Sequence, residues 1–245
     1  YSSTGVMLGV AALAVVMSVM NGVRSDLFDK IVGLNGHAVV QGFGGRIDDW
    51  KDVLKEAKAT PGVVSATPLI EQPLLATFSG RVEGVLVRGM TVPDIRSNKT
   101  LGGKVLQGSL ATLTAGSGNV ALGSELARNL GAQVGSNVTI INPQGRSTPF
   151  GTVPREISYR VTAIFEIGVY DFDKAYIVMP MEDAQLLLLT GDAVQMIEVK
   201  TEDPDRVGEI LQPLAEKLAA KAVVSDWRSM NASLFEALSI ERVAM

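Results

Sequence analysis

Residues 63–90 read VVSATPLIEQPLLATFSGRVEGVLVRGM, a composition typical of two consecutive β-strands. Apolar and β-branched residues dominate residues 63–78 and again residues 82–90. Between the two runs stands Ser79-Gly80, a dipeptide typical of a tight turn. We therefore predict a pair of neighbouring strands at this point of the chain.

Helices and further strands alternate on both sides of this pair. Their apolar residues either recur at helical spacing or alternate along a strand. We predict helices at residues 48–59, 124–130, 181–189 and 204–221, and strands at residues 37–41, 119–122, 138–141, 158–167, 175–179 and 194–200. This mixture favours an α+β domain, and we expect two sub-regions that meet near residues 84–118.

The composition restricts the functions that the chain can have. Its 245 residues are 47% apolar and 20% charged, as in a folded protein. Lys and Arg number 22 against 26 Asp and Glu, so the net charge is −4 and no nucleic-acid partner is expected. The absence of cysteine excludes disulfides and thiolate zinc sites, and a single histidine excludes a His-rich metal site. We expect neither a metal nor a cofactor.

The segment GVMLGVAALAVVMSVM at residues 5–20 carries no charge. A membrane-spanning helix needs about 20 such residues and a signal-peptide core about 7 to 15, so its length lies between the two. A signal peptide begins with basic residues, and residues 1–4 contain none. Since the first residue is Tyr1 rather than Met, we expect most of a first transmembrane helix in a chain trimmed at its start. The alternative is a buried core helix.

Amphipathic helical patterns follow this run and recur at the other end of the chain. A helix that changes from wholly apolar to amphipathic is typical of a span that leaves the bilayer and continues as a stalk. We interpret residues 231–245 as the approach to a second span. The apolar stalk positions are Val23, Leu27, Phe28, Ile31 and Leu34 in the first helix, and Leu234, Phe235, Leu238 and Ile240 in the last.

Several motifs occur in order along the whole chain. They are SVMNG at residues 18–22, ALGSELARNLG at 121–131, TPFGTVPRE at 148–156, YRVTAIFEIGVYDFD at 159–173 and DWRSMNASLFEAL at 226–238. With these motifs the chain resembles the permeases of the lipoprotein-releasing (Lol) ABC transporter, the LolC/LolE family, and is most similar to the LolC or single-permease type. The resemblance implies a first transmembrane helix and stalk at residues 1–35, a MacB-like periplasmic domain at 36–229, and a truncated second stalk at 230–245.

The resemblance also implies a location, a function and partners. The protein would lie in the bacterial inner membrane, release lipoproteins from it, and pass them to the periplasmic carrier LolA. Its partners would be a separate LolD-type ATPase, a second permease that is LolE-like or an identical copy, the lipoprotein substrate and membrane lipids. No covalent chemistry would occur in this chain. On the first helix, the predicted lipoprotein cavity is lined by Val16, Met17, Val19, Met20 and Val23.

Residues 142–157, NPQGRSTPFGTVPREI, form an insertion that is rich in proline and glycine. Pro143, Pro149 and Pro154 fix φ and remove three backbone donors, so the insertion cannot join the interior of a sheet and must project or lie on the surface. Phe150 is its central apolar side chain. By its residues alone, the insertion is equally compatible with an ordinary Pro-rich hairpin loop.

In the LolC branch the matching loop is a hook that captures LolA. Carried across by motif, the predicted carrier-binding residues are Thr148, Pro149, Phe150, Gly151, Val153 and Pro154, with Arg155 beside them. The residues after the hook, Arg155, Glu156 and Ile157, depart from the basic and amide residues of the best-known LolC pattern. This departure weakens the case for polar contacts on that side.

Other candidate sites are less specific. Glu166, Asp171 and Asp173 lack the spacing of a Ca²⁺ loop, and we interpret them as solvated acids at a strand end. His37 has no partner ligand and is interpreted as a surface or capping histidine. Two other functions remain open: a MacB-type export permease that works with a periplasmic adaptor on peptides or drugs, and a soluble hydrolase with a buried apolar helix.

Overall fold

The computed structural model describes residues 35–230, together with Met7, Val10, Val15 and Ser18. Those four positions are helical, and the side chains of Met7, Val10 and Val15 are exposed. Apart from them, the predicted first span and stalk, the predicted cavity residues and the predicted last helix lie outside the described residues.

In the described part of the chain, no helix is both long enough and apolar enough to cross a membrane.

Residues 35–230 form ten strands and eight α-helices. The strands are β1 (Ala38–Gly42), β2 (Val63–Phe78), β3 (Arg81–Met90), β4 (Val105–Gly108), β5 (Asn119–Gly123), β6 (Asn137–Thr148), β7 (Gly151–Phe165), β8 (Tyr176–Pro180), β9 (Met196–Thr201) and β10 (Ala222–Asp226). The helices are α1 (Trp50–Ala59), α2 (Val92–Ser97), α3 (Lys99–Gly102), α4 (Ser124–Leu130), α5 (Tyr170–Ala175), α6 (Met181–Leu188), α7 (Val207–Leu218) and α8 (Trp227–Met230).

These ten strands hydrogen-bond into one sheet with the order β10-β1-β9-β2-β3-β8-β5-β7-β4, and β6 pairs with both β2 and β7. Because of these two pairings, β2, β3, β8, β5, β7 and β6 close into a ring, which we call the strand ring. The first half of β2 pairs with β9 instead, and β9, β1 and β10 extend from it as an open sheet. The long strand β2 therefore belongs to both parts.

The predicted α+β class and the division into two sub-regions are confirmed, but the boundary predicted near residues 84–118 is wrong. β1 comes from the start of the described chain, whereas β9 and β10 come from its end, and they pair with one another. The open sheet is thus discontinuous in the sequence. The strand ring is made from residues 63–180, between its two halves.

The predicted strand pair at residues 63–90 is confirmed, with its turn at Ser79-Gly80. Both turn residues have positive φ, 49° and 78°, and Phe78 pairs with Arg81 across the turn. Positive φ at both central residues gives a two-residue turn whose twist matches that of the flanking strands. The shorter elements α2, α3, α5, β4 and β10 were not predicted, because four to six residues carry little periodicity.

Buried side chains lie on both faces of β8, one of the ring strands. Ile177 of β8 packs in a cluster that also contains Leu126 of α4 and Leu187 of α6. Its neighbour Val178 packs in a second cluster, with Ile95 of α2 among others. Since successive side chains of a strand point to opposite faces, the two clusters lie on opposite sides of β8. This packing on both sides of β8 makes the ring a rigid support for the parts of β6 and β7 that continue beyond it.

Candidate functional site

Strands β6 and β7 continue beyond the ring as a two-stranded arm, residues 142–155. The pairing of β2 with β6 ends at Leu75 opposite Ile141, whereas β6 and β7 stay paired as far as Thr148 and Gly151. The predicted strand limits at residues 141 and 158 are therefore wrong, because the proline-containing segment is itself a hairpin. That it stays out of the sheet interior is confirmed, since beyond Ile141 no other described strand pairs with the arm.

The arm accommodates its prolines in an irregular stretch of the ladder. The register shifts between Asn142 and Arg146, so that residues 143–145 lie opposite Pro154. Pro143 and Pro154 thus both occupy positions where the regular ladder is interrupted. A bulge of this kind tolerates proline, because the missing N–H is not required for strand pairing.

Gly145 permits the two chains of the arm to approach closely at this bulge. A Cβ added at residue 145 would lie 2.1 Å from the carbonyl oxygen of Val153 and 2.7 Å from the backbone nitrogen of Arg155. Both distances are far inside van der Waals contact, and both atoms belong to the backbone. Any side chain at residue 145 would therefore force the strands of the arm apart.

The tip of the arm is held by its own hydrogen bonds. The Thr148 hydroxyl donates to the carbonyl oxygen of Gly151 at 2.6 Å and accepts the backbone N–H of Phe150 at 3.3 Å. Pro149 restricts φ at the first turn position, and Gly151 adopts a φ of +121°, which favours glycine. The turn is therefore preformed in the free protein, which reduces the entropy lost when it binds a partner.

Phe150 projects from this tip with its side chain completely exposed. Val153, on the returning strand, is 56% exposed. An aromatic ring held in water on a preformed turn gains free energy when a partner buries it. The tip of the arm can therefore bind an apolar pocket on a partner.

The structure separates Arg155 from the other predicted carrier-binding residues. Arg155 lies at the base of the arm opposite Asn142, whereas Thr148, Pro149, Phe150, Gly151, Val153 and Pro154 form the outer arm. The Arg155 side chain is half-buried near Tyr159, which is fully buried. Burial, together with the charge of Asp183, raises the pKa of Tyr159, and the nearby Arg155 opposes this shift.

Sequence reasoning missed a buried ionic cluster around Arg88. The Arg88 guanidinium, near the end of β3, is inaccessible to solvent. It donates from Nη2 to both carboxylate oxygens of Glu198 on β9 at 2.8 Å, and from Nη1 to Glu71 on β2 at 2.7 Å. The Tyr176 ring lies 5.9 Å from the guanidinium carbon, and Nη1 also reaches Oδ1 of Asn35 at 3.3 Å. The cluster thus joins the strand ring, the open sheet and the chain before β1.

Burial and charge act in opposite directions inside this cluster. Burial lowers the pKa of Arg88, but the carboxylates of Glu198 and Glu71 outweigh it and raise the pKa overall, so the guanidinium stays charged. Burial raises the pKa of Glu71, against the attraction of Arg88. An arginine within the apolar run VLVRGM was the signal in the sequence, because a charge that interrupts a buried strand requires a buried partner.

Asp173, one of the acids near residue 170, and the lone histidine have hydrogen-bond partners in the structure. Asp173 is buried rather than solvated, which corrects the interpretation made from the sequence. Its two carboxylate oxygens accept the backbone N–H groups of Ile167 and Gly168 at 2.6 and 2.9 Å, which closes the turn before α5. Nδ1 of His37 accepts the backbone N–H of Thr201 at 3.0 Å. Among the described residues there is no group of acids and histidines that could hold a metal ion.

Residues 2–217 match the family described as the MacB-like periplasmic core domain. The whole chain is 32% identical to the lipoprotein-releasing system transmembrane protein LolC of Neisseria meningitidis over 245 residues, and 32% identical to LolC of Xylella fastidiosa over 244 residues. It is 22% identical over 250 residues to the protein LolE of Haemophilus influenzae. The resemblance inferred from the motifs is thereby confirmed. The chain spans 59% of the length of each LolC relative and 60% of the LolE relative.

The fold is shared with solved domains of two transporters. The extracellular domain of the noncanonic ABC-type transporter YknZ from Gram-positive bacteria superposes with a TM-score of 0.53 at 12% identity, covering 78% of this chain and 100% of that domain. The periplasmic region of MacB from Actinobacillus actinomycetemcomitans gives a TM-score of 0.51 at 13% identity, with coverage of 83% and 95%. At such identities these likenesses establish the fold alone.

Proposed function

The chain belongs to the MacB-like periplasmic core domain family, and from this membership and its likeness to LolC we propose that it is part of a permease that releases lipoproteins from the bacterial inner membrane and hands them to the carrier LolA. Residues 36–229 are the periplasmic domain, between a first transmembrane helix with its stalk at residues 1–35 and a second stalk at residues 230–245. ATP is hydrolysed on a separate LolD-type chain. A second permease, LolE-like or identical, completes the transporter.

The observation that supports this function best is the arm with Phe150 at its tip. A carrier that receives lipid-modified proteins must itself have an apolar pocket, and Phe150 is a fully exposed aromatic side chain that such a pocket would bury. The Thr148 hydrogen bonds and the two flanking prolines keep the tip in one shape before the carrier arrives. In this role the outer arm is the carrier-binding hook, and Arg155 stands at its base.

Direct transfer explains why a permease needs a docking arm. Exposing acyl chains to water costs about 0.8 kcal/mol per CH₂ group, so a lipid-modified protein cannot simply diffuse away from the membrane. Holding the carrier at the exit allows the chains to pass from one apolar environment to another. In this proposal the acyl chains lie against Val16, Met17, Val19, Met20 and Val23 before they leave, and methionine adapts readily to chains of different shape.

Carrier binding tests the docking role. We expect the full-length permease in detergent to bind purified LolA, and deletion of residues 148–153 to abolish binding while the thermal melt stays within a few degrees of the parent. Unchanged binding by the deletion variant would refute the hook. A collapsed melt would instead assign the segment to the folded core.

Protease accessibility tests the location. Protease added to spheroplasts should cleave within residues 36–229, because this domain faces the periplasm in the proposal. Complete protection in intact spheroplasts, with cleavage after lysis, would contradict the topology.

The MacB-type export permease is the second candidate, because the fold of the MacB periplasmic region matches this chain. Such a permease would bind a periplasmic adaptor instead of LolA. Parallel binding measurements with LolA and with a MacB-type adaptor distinguish the two functions, and the partner that binds at the lower concentration identifies the correct one.

A further inference from the structure

The arm differs in charge from the protein as a whole. Residues 142–155 contain Arg146 and Arg155 and no acid, so the arm carries two positive charges, whereas the chain has a net charge of −4. A positive projection on an acidic protein suits an acidic partner surface, because opposite potentials attract the partner and fix its register. The charge of the arm is therefore evidence about the chemistry of what it binds.

The positive charge of Arg146 is not neutralised within the part of the chain that the structure describes. Arg46, Arg128 and Arg206 each form an ion pair with an acid two or three positions away. No such pair joins Arg146 to any described acid. Its side chain is exposed, so the guanidinium is accessible to a partner.

The strand register places Arg146 beside Val153, which is also exposed. The two residues lie opposite each other in the β6–β7 ladder, and opposite residues of an antiparallel pair project on the same face. Ser147 and Thr152, the next pair, project on the other face. One face of the arm therefore presents a cation beside an apolar side chain, and the other face presents two hydroxyl groups.

Arg146 also lies at a defined distance from the tip. It is two strand residues from Thr148, a step of about 7 Å, and the Thr148 hydroxyl holds the turn that carries Phe150. A pocket that buries the Phe150 ring would bring its rim beside Arg146. An acid on that rim would accept charge-assisted hydrogen bonds from the guanidinium, whose planar fork defines the direction of approach.

We propose that Arg146 pairs with a carboxylate at the rim of the carrier's apolar pocket, and that this pair sets the orientation in which the carrier docks. Burial of Phe150 supplies most of the affinity, and the Arg146 pair selects one way of seating the arm. This inference rests on the proposed function, because it specifies the chemistry of the partner that the arm binds.

Titration calorimetry of the full-length permease in detergent with purified LolA tests the pair. At low salt, Arg146→Gln should weaken binding about tenfold, the loss expected when a hydrogen bond between charged groups is removed. Arg146→Glu should weaken it further, because it places a second negative charge beside the rim. The affinity of Arg146→Gln should also depend less on NaCl concentration than that of the parent. Both variants should melt as the parent does, since Arg146 is exposed.

Two controls separate a specific pair from an effect of net charge. The double variant Arg146→Ser, Ser147→Arg keeps the charge of the arm but moves it to the other face, so it should bind LolA as weakly as Arg146→Gln. Arg96→Gln removes the same charge at an exposed position of α2, outside the arm, and should bind as the parent does.

Charge reversal in the carrier identifies the carboxylate. Each Asp and Glu of LolA is replaced in turn by Lys, and each variant is titrated against the parent permease and against Arg146→Glu. We expect one LolA variant to bind Arg146→Glu more tightly than it binds the parent, because the pair is then restored with its charges exchanged.

The outcomes distinguish the pair from the function on which it rests. If the parent permease does not bind LolA, the proposed function fails, and the pair fails with it. If the parent binds and either Arg146→Gln or the double variant binds equally well, the pair is overturned and the docking function stands. The same holds if no charge-reversed LolA prefers Arg146→Glu. A collapsed melt of Arg146→Gln would also overturn the pair, because Arg146 would then belong to the folded structure.

Discussion

The backbone N–H of Trp227 donates a hydrogen bond to the carbonyl oxygen of His37, with 2.9 Å between nitrogen and oxygen. In the adjoining ladder, Ala38 of β1 lies opposite Asp226 of β10. The chain therefore enters the open sheet and leaves it at adjacent points, although His37 and Trp227 are 190 positions apart in the sequence. The described chain therefore has His37, near its start, and Trp227, near its end, side by side.

This adjacency leads to a prediction for the two stalks. If residues 23–34 and 231–245 are antiparallel stalks, their apolar positions should pack against each other, because each must bury its apolar stripe. We expect cysteines paired between Leu27, Phe28 or Ile31 and Leu234, Phe235 or Leu238 to crosslink readily in the assembled transporter. The parent contains no cysteine, so no background crosslink arises. Failure of every pair would contradict the stalks.

Replacing Phe150 by alanine should weaken LolA binding by about thirtyfold or more, the effect of losing an aromatic anchor of about 2 kcal/mol. The melting temperature should not change, since the Phe150 side chain is fully exposed. Titration calorimetry on the full-length permease measures the affinity. Phe43→Ala, at an exposed phenylalanine outside the arm, is the matched control and should bind as the parent does. If the parent, Phe150→Ala and Phe43→Ala all bound LolA with equal affinity, Phe150 would not be part of the interface.

Gly145→Ala should distort the arm, because its Cβ would lie 2.1 Å from the carbonyl oxygen of Val153. We expect weaker LolA binding, with a melt close to the parental one, since the arm lies outside the ring. Gly84→Ala is the control, because a Cβ at that position meets nothing within 4 Å and its φ is not positive. Binding and melt are measured on the same preparations, and parental binding by Gly145→Ala would show that the bulge is not needed.

Arg88→Met should destabilise the domain by about 3–5 kcal/mol, because it leaves the buried Glu198 and the partly buried Glu71 without their cation. Adding Glu198→Met and Glu71→Gln should recover most of this loss, since the triple variant contains no uncompensated buried charge. Denaturant melts of the three proteins measure the difference. A single variant as stable as the parent, or a triple variant no better than the single one, would argue against a paired cluster.

The pH dependence of the stability of the domain should include a contribution from His37. Burial and then the nearby positive charge of Lys200 lower the pKa of His37, so the folded protein takes up a proton less readily than the unfolded chain. Both states carry a neutral imidazole well above the ordinary pKa of about 6.5. As the pH falls through this value, the unfolded state gains its proton first, and stability falls until the lowered pKa is passed.

Thermal melts at pH 7.5 and 5.0 test the prediction that His37 lowers stability as the pH falls. The loss of melting temperature between the two pH values should be larger in the parent than in His37→Gln. Glu71 and Asp183, whose pKa values burial raises, are present in both proteins, so their opposite contribution cancels in the comparison. An equal loss in both proteins would show that His37 does not contribute.

Local features of the sequence determined the turn at Ser79-Gly80 and the projecting arm. Pro149, Gly151 and the other prolines and glycines there act on their own φ angles and on the nearest hydrogen bonds, so their effect is visible in a few consecutive residues. The sequence therefore specified that a segment within residues 142–157 projects, which the structure limits to residues 142–155, and its motifs were sufficient to identify the family.

Only the tertiary structure decided the closure of the ring, the pairing of β10 with β1 and the cluster around Arg88. Arg88 and Glu198 are 110 positions apart, and His37 and Thr201 are 164 positions apart. Contacts of this kind form because distant strands bury one another's side chains and backbone groups together, and no single window of sequence contains both partners. Even the extent of the arm was settled in this way, since the register of β6 against β7 placed three residues opposite Pro154.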